Sequence, residues 1–244
     1  MVRWSIWGIA VAVLIAGAAI AVATYLGLDR IAGAVALIEP PRETVATAAP
    51  PPVPAEPAVS IADVSFEGSP FIGKADAPVA IAYWFDYQCP FCKQLEFSVM
   101  PDLLKEYVDT GIVRLYYKDF EFLGEDSFAA AVIARAVWDV APDRFAQWHR
   151  AVFDKQDAEN RGWGSTEDVL ALTETIEGID VAKVRALAES NADEYRARID
   201  RDFEEGNRLG INGTPGTIIG TQLISGAAQY AKFKAAIEKA RMQP

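Results

Sequence analysis

The hydrophobic and polar positions divide the chain into three parts. From Ile6 to Leu28 runs IWGIAVAVLIAGAAIAVATYLGL, 23 residues without a charge. As a helix it would span about 34 Å, enough to cross a hydrocarbon core of about 30 Å. Trp4, Trp7 and Tyr25 fall near its ends, where interfacial aromatics belong. The run exceeds the roughly 7 to 15 residues of a signal-peptide core, and only Arg3 precedes it, so a retained single-pass anchor is expected rather than a cleaved signal. Arg3 and the terminal amine place the N-terminus in the cytoplasm and the rest of the chain outside. Residues 39–60, EPPRETVATAAPPPVPAEPAVS, then hold seven of the 14 prolines. Proline fixes φ and lacks an N–H, so this stretch cannot pair into helix or sheet and reads as a linker. The expected organisation is an anchor and juxtamembrane segment over 1–38, a Pro-rich linker over 39–60, and a folded domain over 61–244.

Within the domain the period of the pattern changes repeatedly. Val79 to Phe85, VAIAYWF, is a short apolar run with the character of a strand buried on both faces. A helix should follow from Cys89 or Pro90 to about Asp109, bent at Pro101, with Gly111 just beyond its end. Ile112 to Tyr117 is the next strand, giving a strand–helix–strand unit with a parallel pair and a right-handed crossover. From Glu125 to about Asn207 the pattern is helical throughout. Phe145, Trp148, Val152 and Phe153 share one face, Ser165 and Asp168 form a capping box, and Val169, Leu172 and Ile176 follow at helical spacing. Val184, Leu187, Tyr195, Ile199 and Phe203 indicate one or two further helices. The NGTPG turn then leads into a hairpin, Thr217 to Gly220 and Gln222 to Ser225, and a final amphipathic helix over Ala228 to Arg241. The fold class expected is α/β, with a helical insertion over about 125–208.

Half of the residues are hydrophobic (51%), ample for a core even after the apolar N-terminal run is set aside. The net charge of −11 argues against nucleic acid or an anionic membrane surface as a partner. No internal repeat is visible.

The candidate chemistry lies in the two cysteines, Cys89 and Cys92, in YWFDYQCPFCKQ. A structural zinc site needs four ligands, and two cysteines with the lone histidine, His149, do not supply them, so no metal is expected. A purely structural CxxC bridge closes too small a loop to stabilise the domain much. A redox role has a physical basis. A sulfur at a helix start faces unpaired N–H groups and the positive end of the helix dipole, which favour thiolate over thiol. Cys89 is therefore the expected nucleophile. Cys92, one turn inward, is the resolving thiol that attacks a mixed disulfide formed on Cys89. His149, within a helix face, reads as structural, and Trp163 as a loop anchor.

VAIAYWFDYQCPFCK, with Gly213, Thr214 and Pro215 about 125 residues later, resembles the thioredoxin superfamily, and within it the DsbA-like branch that includes BdbD-type anchored oxidoreductases. The resemblance extends from about Ser69 to Glu238. It implies a thioredoxin fold with an inserted helical subdomain and thiol–disulfide exchange at Cys89 and Cys92. It also implies support from Pro90 and Phe91, a cis Pro215 lying against the cysteines, and a Thr214 backbone that pairs with an extended substrate. No cofactor is implied beyond the redox-active disulfide. Tyr87, Phe91 and Thr214 are the expected substrate contacts. The implied partners are unfolded or cysteine-containing exported proteins and a membrane redox protein, DsbB-like or DsbD-like.

The sequence departs from that family in ways that bear on mechanism. Relatives usually carry an acid six positions before the first cysteine; here Tyr83 stands there, so the proton route must differ, through water or Asp86. Phe91 stands where the most oxidising DsbA proteins have histidine. Lys93 is expected to offset part of that lost charge, with Asp86 and Glu96 opposing it. Gly216 replaces a commonly larger residue after the proline. Oxidation of substrates is the expected direction. The alternatives are an isomerase or reductase kept reduced by a membrane partner, and a non-catalytic chaperone-like binding module.

Overall fold

A computed structural model of the chain describes residues 59–159 and 161–242. The apolar run from Ile6 to Leu28 and all but the last two residues of the Pro-rich segment lie outside the described residues. Among the described residues no helix is long and apolar enough to cross a membrane.

The domain is built on a five-stranded sheet in the order β1-β3-β2-β4-β5. Strand β2 (Val79–Phe85) lies at its centre, parallel to β3 (Val113–Asp119) and antiparallel to β4 (Gly216–Ile219). Strand β5 (Gln222–Ser225) completes the expected hairpin with β4. At the opposite edge β1, only Phe71–Ile72, pairs antiparallel with β3; two residues carry no readable period, and the sequence did not reveal it.

Alternation along β2 divides the core in two. Val79, Ile81, Tyr83 and Phe85 enter the larger apolar cluster, shared with the cysteines and the helical insertion. Ala82 and Trp84 face a smaller cluster with Phe120, Leu209, Ile211 and Ile218. A strand packed on both faces has no polar side to show, which is why VAIAYWF is apolar throughout.

The helix after β2 is shorter than its pattern suggested. Helix α1 (Pro90–Ser98) ends at Val99, whose ψ of −46° at φ −121° interrupts the helix. Helix α2 (Met100–Leu103) resumes with Pro101 in its first turn, where a missing N–H costs nothing, and a single π-type turn over Leu104–Val108 closes the segment. The 125–207 block is not helical throughout. Helices α3 (Glu125–Val140) and α4 (Phe145–Lys155) are followed by an irregular stretch up to Ser165. Then come α5 (Thr166–Glu174), α6 (Val181–Ser190) and α7 (Ala192–Arg208). Ser165 and Asp168 make the capping box that the sequence indicated. Helix α8 (Tyr230–Arg241) packs its Phe233, Ala236 and Ile237 into the larger cluster.

Buried charge joins α7 and α3 to the sheet. Arg135 of α3 pairs with Asp119 at the end of β3 and with Asp202 of α7, while Lys118 of β3 pairs with Asp202 and Glu205. Asp119 and Asp202 outweigh the cost of burying Arg135 and raise its pKa. These groups line a cavity of about 640 Å³ that contains neither cysteine. Its buried charges are already paired with one another.

Candidate active site

The register of the sheet places the two halves of the site together. Trp84, next to last in β2, pairs with Gly216, the first residue of β4. The turn before β4 therefore sits against the loop after β2. In that turn Thr214–Pro215 is the cis peptide bond of the described chain. The Pro215 carbonyl accepts a hydrogen bond from the Gly226 N–H (2.7 Å). Gly216 is explained by its surroundings: a Cβ there would lie 2.8 Å from the side chain of Ile211.

Cys89 is the N-cap of α1 and Pro90 begins the helix. Both cysteines are free thiols. The Cys89 Sγ donates to the Thr214 carbonyl at 3.3 Å, joining the two halves of the site. Its pKa falls to about 6, chiefly through a hydrogen bond from the Cys92 thiol. Burial works against the shift; the Thr214 hydroxyl and the Cys92 and Phe91 N–H groups work with it. The last two are the unpaired donors of a helix start, as expected at this position. That hydroxyl is buried and no nitrogen or oxygen partners it, which leaves it to the sulfur. Cys92 is the opposite case. It is fully buried (0% exposed), and burial, then the neighbouring Cys89, push its pKa well up. The pair thus combines a stabilised thiolate with a sulfur that resists ionisation.

The surrounding loop is held by Asp86, which the sequence offered as a proton route, and by Gln156, which it did not single out. Asp86 Oδ1 accepts from the Gln88 N–H (2.7 Å) and the Ser127 hydroxyl (2.6 Å), and its Oδ2 from the Phe122 and Leu123 N–H groups (2.9 and 3.1 Å). Four donors occupy this carboxylate, so it is a brace for the loop. Gln156, just past α4, donates its side-chain amide to the carbonyls of Tyr87 (2.7 Å) and Cys89 (3.1 Å). Nothing in the sequence marks Gln156, because its role depends on where α4 ends in space.

Two expectations are corrected. Tyr87 is fully buried, packed on Phe85, Trp148 and Phe153, with its hydroxyl 3.0 Å from His149 Nδ1; a side chain so enclosed is not open to substrate. Lys93 does not attend the thiolate. Its Nζ donates to the carbonyls of Asp154 (3.2 Å) and Gln156 (2.6 Å), where a cation completes the C-terminal end of α4. Phe91 is 59% exposed beside Cys89, and Thr214 is partly exposed, so both remain accessible. His149 is buried, with Nε2 at 3.2 Å from Glu96 Oε1. Tyr83 is buried behind the cysteines, and no oxygen or nitrogen partners its hydroxyl. Trp163 anchors its loop by accepting from the Gln88 side-chain amide at its carbonyl (3.2 Å). Among the described residues, no group of three or more His, Cys, Asp or Glu side chains is placed to hold a metal ion.

Comparison with known proteins agrees with this geometry. Residues 65–239 match the family model described as thioredoxin. The chain is 30% identical over 179 residues to disulfide bond formation protein D of Bacillus subtilis, covering 72% of this chain and 78% of that protein. The crystal structure of oxidised BdbD from Bacillus subtilis superposes with a TM-score of 0.69 at 28% identity, over 76% of this chain and 98% of that one. The thiol–disulfide exchange protein alpha-DsbA2 of Wolbachia pipientis gives a TM-score of 0.61 at 25% identity, over 70% and 86%.

Proposed function

The chain belongs to the thioredoxin family and is a DsbA-like thiol–disulfide oxidoreductase, and from that premise we propose that it works as an oxidase outside the cytoplasm, donating the Cys89–Cys92 disulfide to exported proteins. The observation that carries the direction is the contrast between the two sulfurs. A Cys89 pKa of about 6 favours the dithiol form at neutral pH and so makes the disulfide the more reactive oxidant.

In the proposed reaction a substrate thiolate attacks Cys89 Sγ. The new bond joins substrate sulfur to Cys89, the Cys89–Cys92 bond breaks, and Cys92 receives the electron pair and then a proton. A second substrate thiolate attacks the substrate sulfur of this mixed disulfide, forming the substrate disulfide. Cys89 leaves as a thiolate, the better leaving group for its low pKa. The free edge of the Thr214 backbone pairs with the substrate segment, and exposed Phe91 meets its apolar side chains. The apolar run from Ile6 to Leu28 supports membrane attachment, and a DsbB-like membrane protein that withdraws the two electrons would complete the cycle. The disulfide-forming role given in the Bacillus subtilis relative's name agrees with this direction.

The test is to mix the oxidised protein with a reduced, unfolded substrate protein at neutral pH. Stoichiometric transfer of disulfides, abolished in Cys89→Ala, is expected. Failure to oxidise the substrate, with rapid disulfide reduction by the dithiol form instead, would reverse the direction.

A further inference from the structure

The last turn of α4 is joined to the cysteine motif by two links of opposite sense. Gln156 is where α4 stops. Its N–H still bonds the Val152 carbonyl (2.9 Å), but its ψ of 122° has left the helix. From the cysteine side, Lys93, the residue after Cys92, donates its Nζ to the carbonyls of Asp154 (3.2 Å) and Gln156 (2.6 Å). Its charge sits at the negative end of α4. From the other side, the Gln156 side-chain amide donates back to the carbonyls of Tyr87 (2.7 Å) and Cys89 (3.1 Å). The orientation of that amide is fixed, because turning it over would set its oxygen against two carbonyls. Gln156 is only 4% exposed, so water cannot readily take its place, and its own oxygen Oε1 has no partner. The whole polar role of this side chain is to hold the two carbonyls.

Those carbonyls flank the nucleophile. Cys89 is the N-cap of α1, with φ −76° and ψ 118°. Its carbonyl accepts from the N–H groups of Cys92 (3.1 Å) and Lys93 (3.2 Å) as well as from Gln156. Asp86 grips the same turn at the Gln88 N–H (2.7 Å), and Gln156 grips it at the carbonyls before and after. With both held, the backbone at Cys89 cannot rotate, and the direction of its side chain is set. Sγ then stays 3.3 Å from the Thr214 carbonyl and over the helix start, where the Phe91 and Cys92 N–H groups favour the thiolate.

We propose that Gln156 is a positioning residue for Cys89, and that Lys93 and Gln156 form one reciprocal latch through which the helical insertion sets the oxidising power of the disulfide. Lys93 holds the Gln156 backbone in place, and the Gln156 side chain holds the Cys89 backbone in place. Neither needs to touch the sulfur. The proposal rests on the oxidoreductase reading for its consequence, and holds for either direction of electron flow.

The test measures Cys89 ionisation in the reduced full chain, from the pH dependence of its alkylation by iodoacetamide. Gln156→Met and Lys93→Met keep most of the side-chain bulk and lose the donors. Cys89 should ionise about one pH unit higher in Gln156→Met. At pH 8 its dithiol form should then lose about tenfold in equilibrium with glutathione. Lys93→Met should shift ionisation in the same direction, and the shift should persist in 1 M salt, where the direct field of a distant charge is screened. Lys93→Arg should restore the unmodified behaviour. The double variant should shift by less than the sum of the two, because both act through one latch. Arg135→Ala, which weakens the domain far from the cysteines, should leave Cys89 ionisation unmoved. Unmoved ionisation in both Met variants, additive shifts in the double variant, or an equal shift in Arg135→Ala would overturn the proposal. Should Gln156→Met fail to fold, Lys93→Met with Lys93→Arg decides alone. Failure of the unmodified protein to exchange with glutathione would instead indict the oxidoreductase reading, and would leave the alkylation result standing.

Discussion

The reduction potential of the Cys89–Cys92 pair should change its pH slope near pH 6, where the Cys89 thiol ionises. Opening the disulfide adds two electrons. Below that pH both sulfurs take up a proton, and the potential should fall by about 59 mV per pH unit. Above it Cys89 stays a thiolate while Cys92, its own pKa raised, still binds one proton, so the slope should halve to about 30 mV. The sign follows from a depressed pKa: the dithiol form gains nothing below about pH 6. Its advantage grows as pH rises, and is complete only above the ionisation of an ordinary thiol. At pH 7 the thiolate outnumbers the thiol about ten to one, worth about 1.4 kcal/mol, or ~30 mV of added oxidising power. The assay is equilibration against a dithiol couple of known potential across this range, with the reduced fraction read by alkylation and mass spectrometry. Cys92→Ala removes the leading cause of the shift, so Cys89 in that variant should titrate higher, as read from the pH dependence of its alkylation rate. An unbroken slope near 59 mV up to pH 8, or an unmoved Cys89 in Cys92→Ala, would refute the assignment.

Other substitutions test separate parts of the molecule. Arg135→Ala strands Asp119 in the interior and leaves Asp202 to Lys118 alone, and should cost about 3–5 kcal/mol in urea denaturation; a loss below 1 kcal/mol would mean those charges are not held by Arg135. Gln156→Ala frees the carbonyls of Tyr87 and Cys89, and should lower stability by about 1–3 kcal/mol and slow disulfide transfer, measured by denaturation and rapid mixing. Phe91→Ala should leave stability within about 0.5 kcal/mol, since the ring is exposed, yet slow transfer to an unfolded protein more than to glutathione. Equal slowing with both substrates would remove Phe91 from substrate binding.

What the sequence revealed, and what it hid, follows from the range of the interactions involved. The central strand was legible because burial on both faces makes VAIAYWF uniformly apolar. The helix start at Cys89–Pro90 and the Ser165–Asp168 capping box are local signals, readable within four residues. Strand β1 is too short for a period and exists only through its pairing with β3, some 45 residues away. Tyr87 was misplaced because proximity to a reactive cysteine along the chain was taken for proximity to substrate, whereas its ring turns inward. Lys93 went astray for the same reason: its long stem reaches the end of α4 instead of the sulfur. Glu96 left one trace, an acid on the same helix stripe as Cys92, Leu95 and Val99, but its pairing with His149 spans 53 residues and needed the fold to become visible.

The most direct measurement is the potential of the Cys89–Cys92 couple at pH 7, equilibrated with glutathione. A thiolate-stabilising helix start without a histidine between the cysteines should give an intermediate value on the oxidising side of the interval between about −120 mV, typical of DsbA, and about −270 mV, typical of thioredoxin. A value near −270 mV would contradict the assignment as an oxidase.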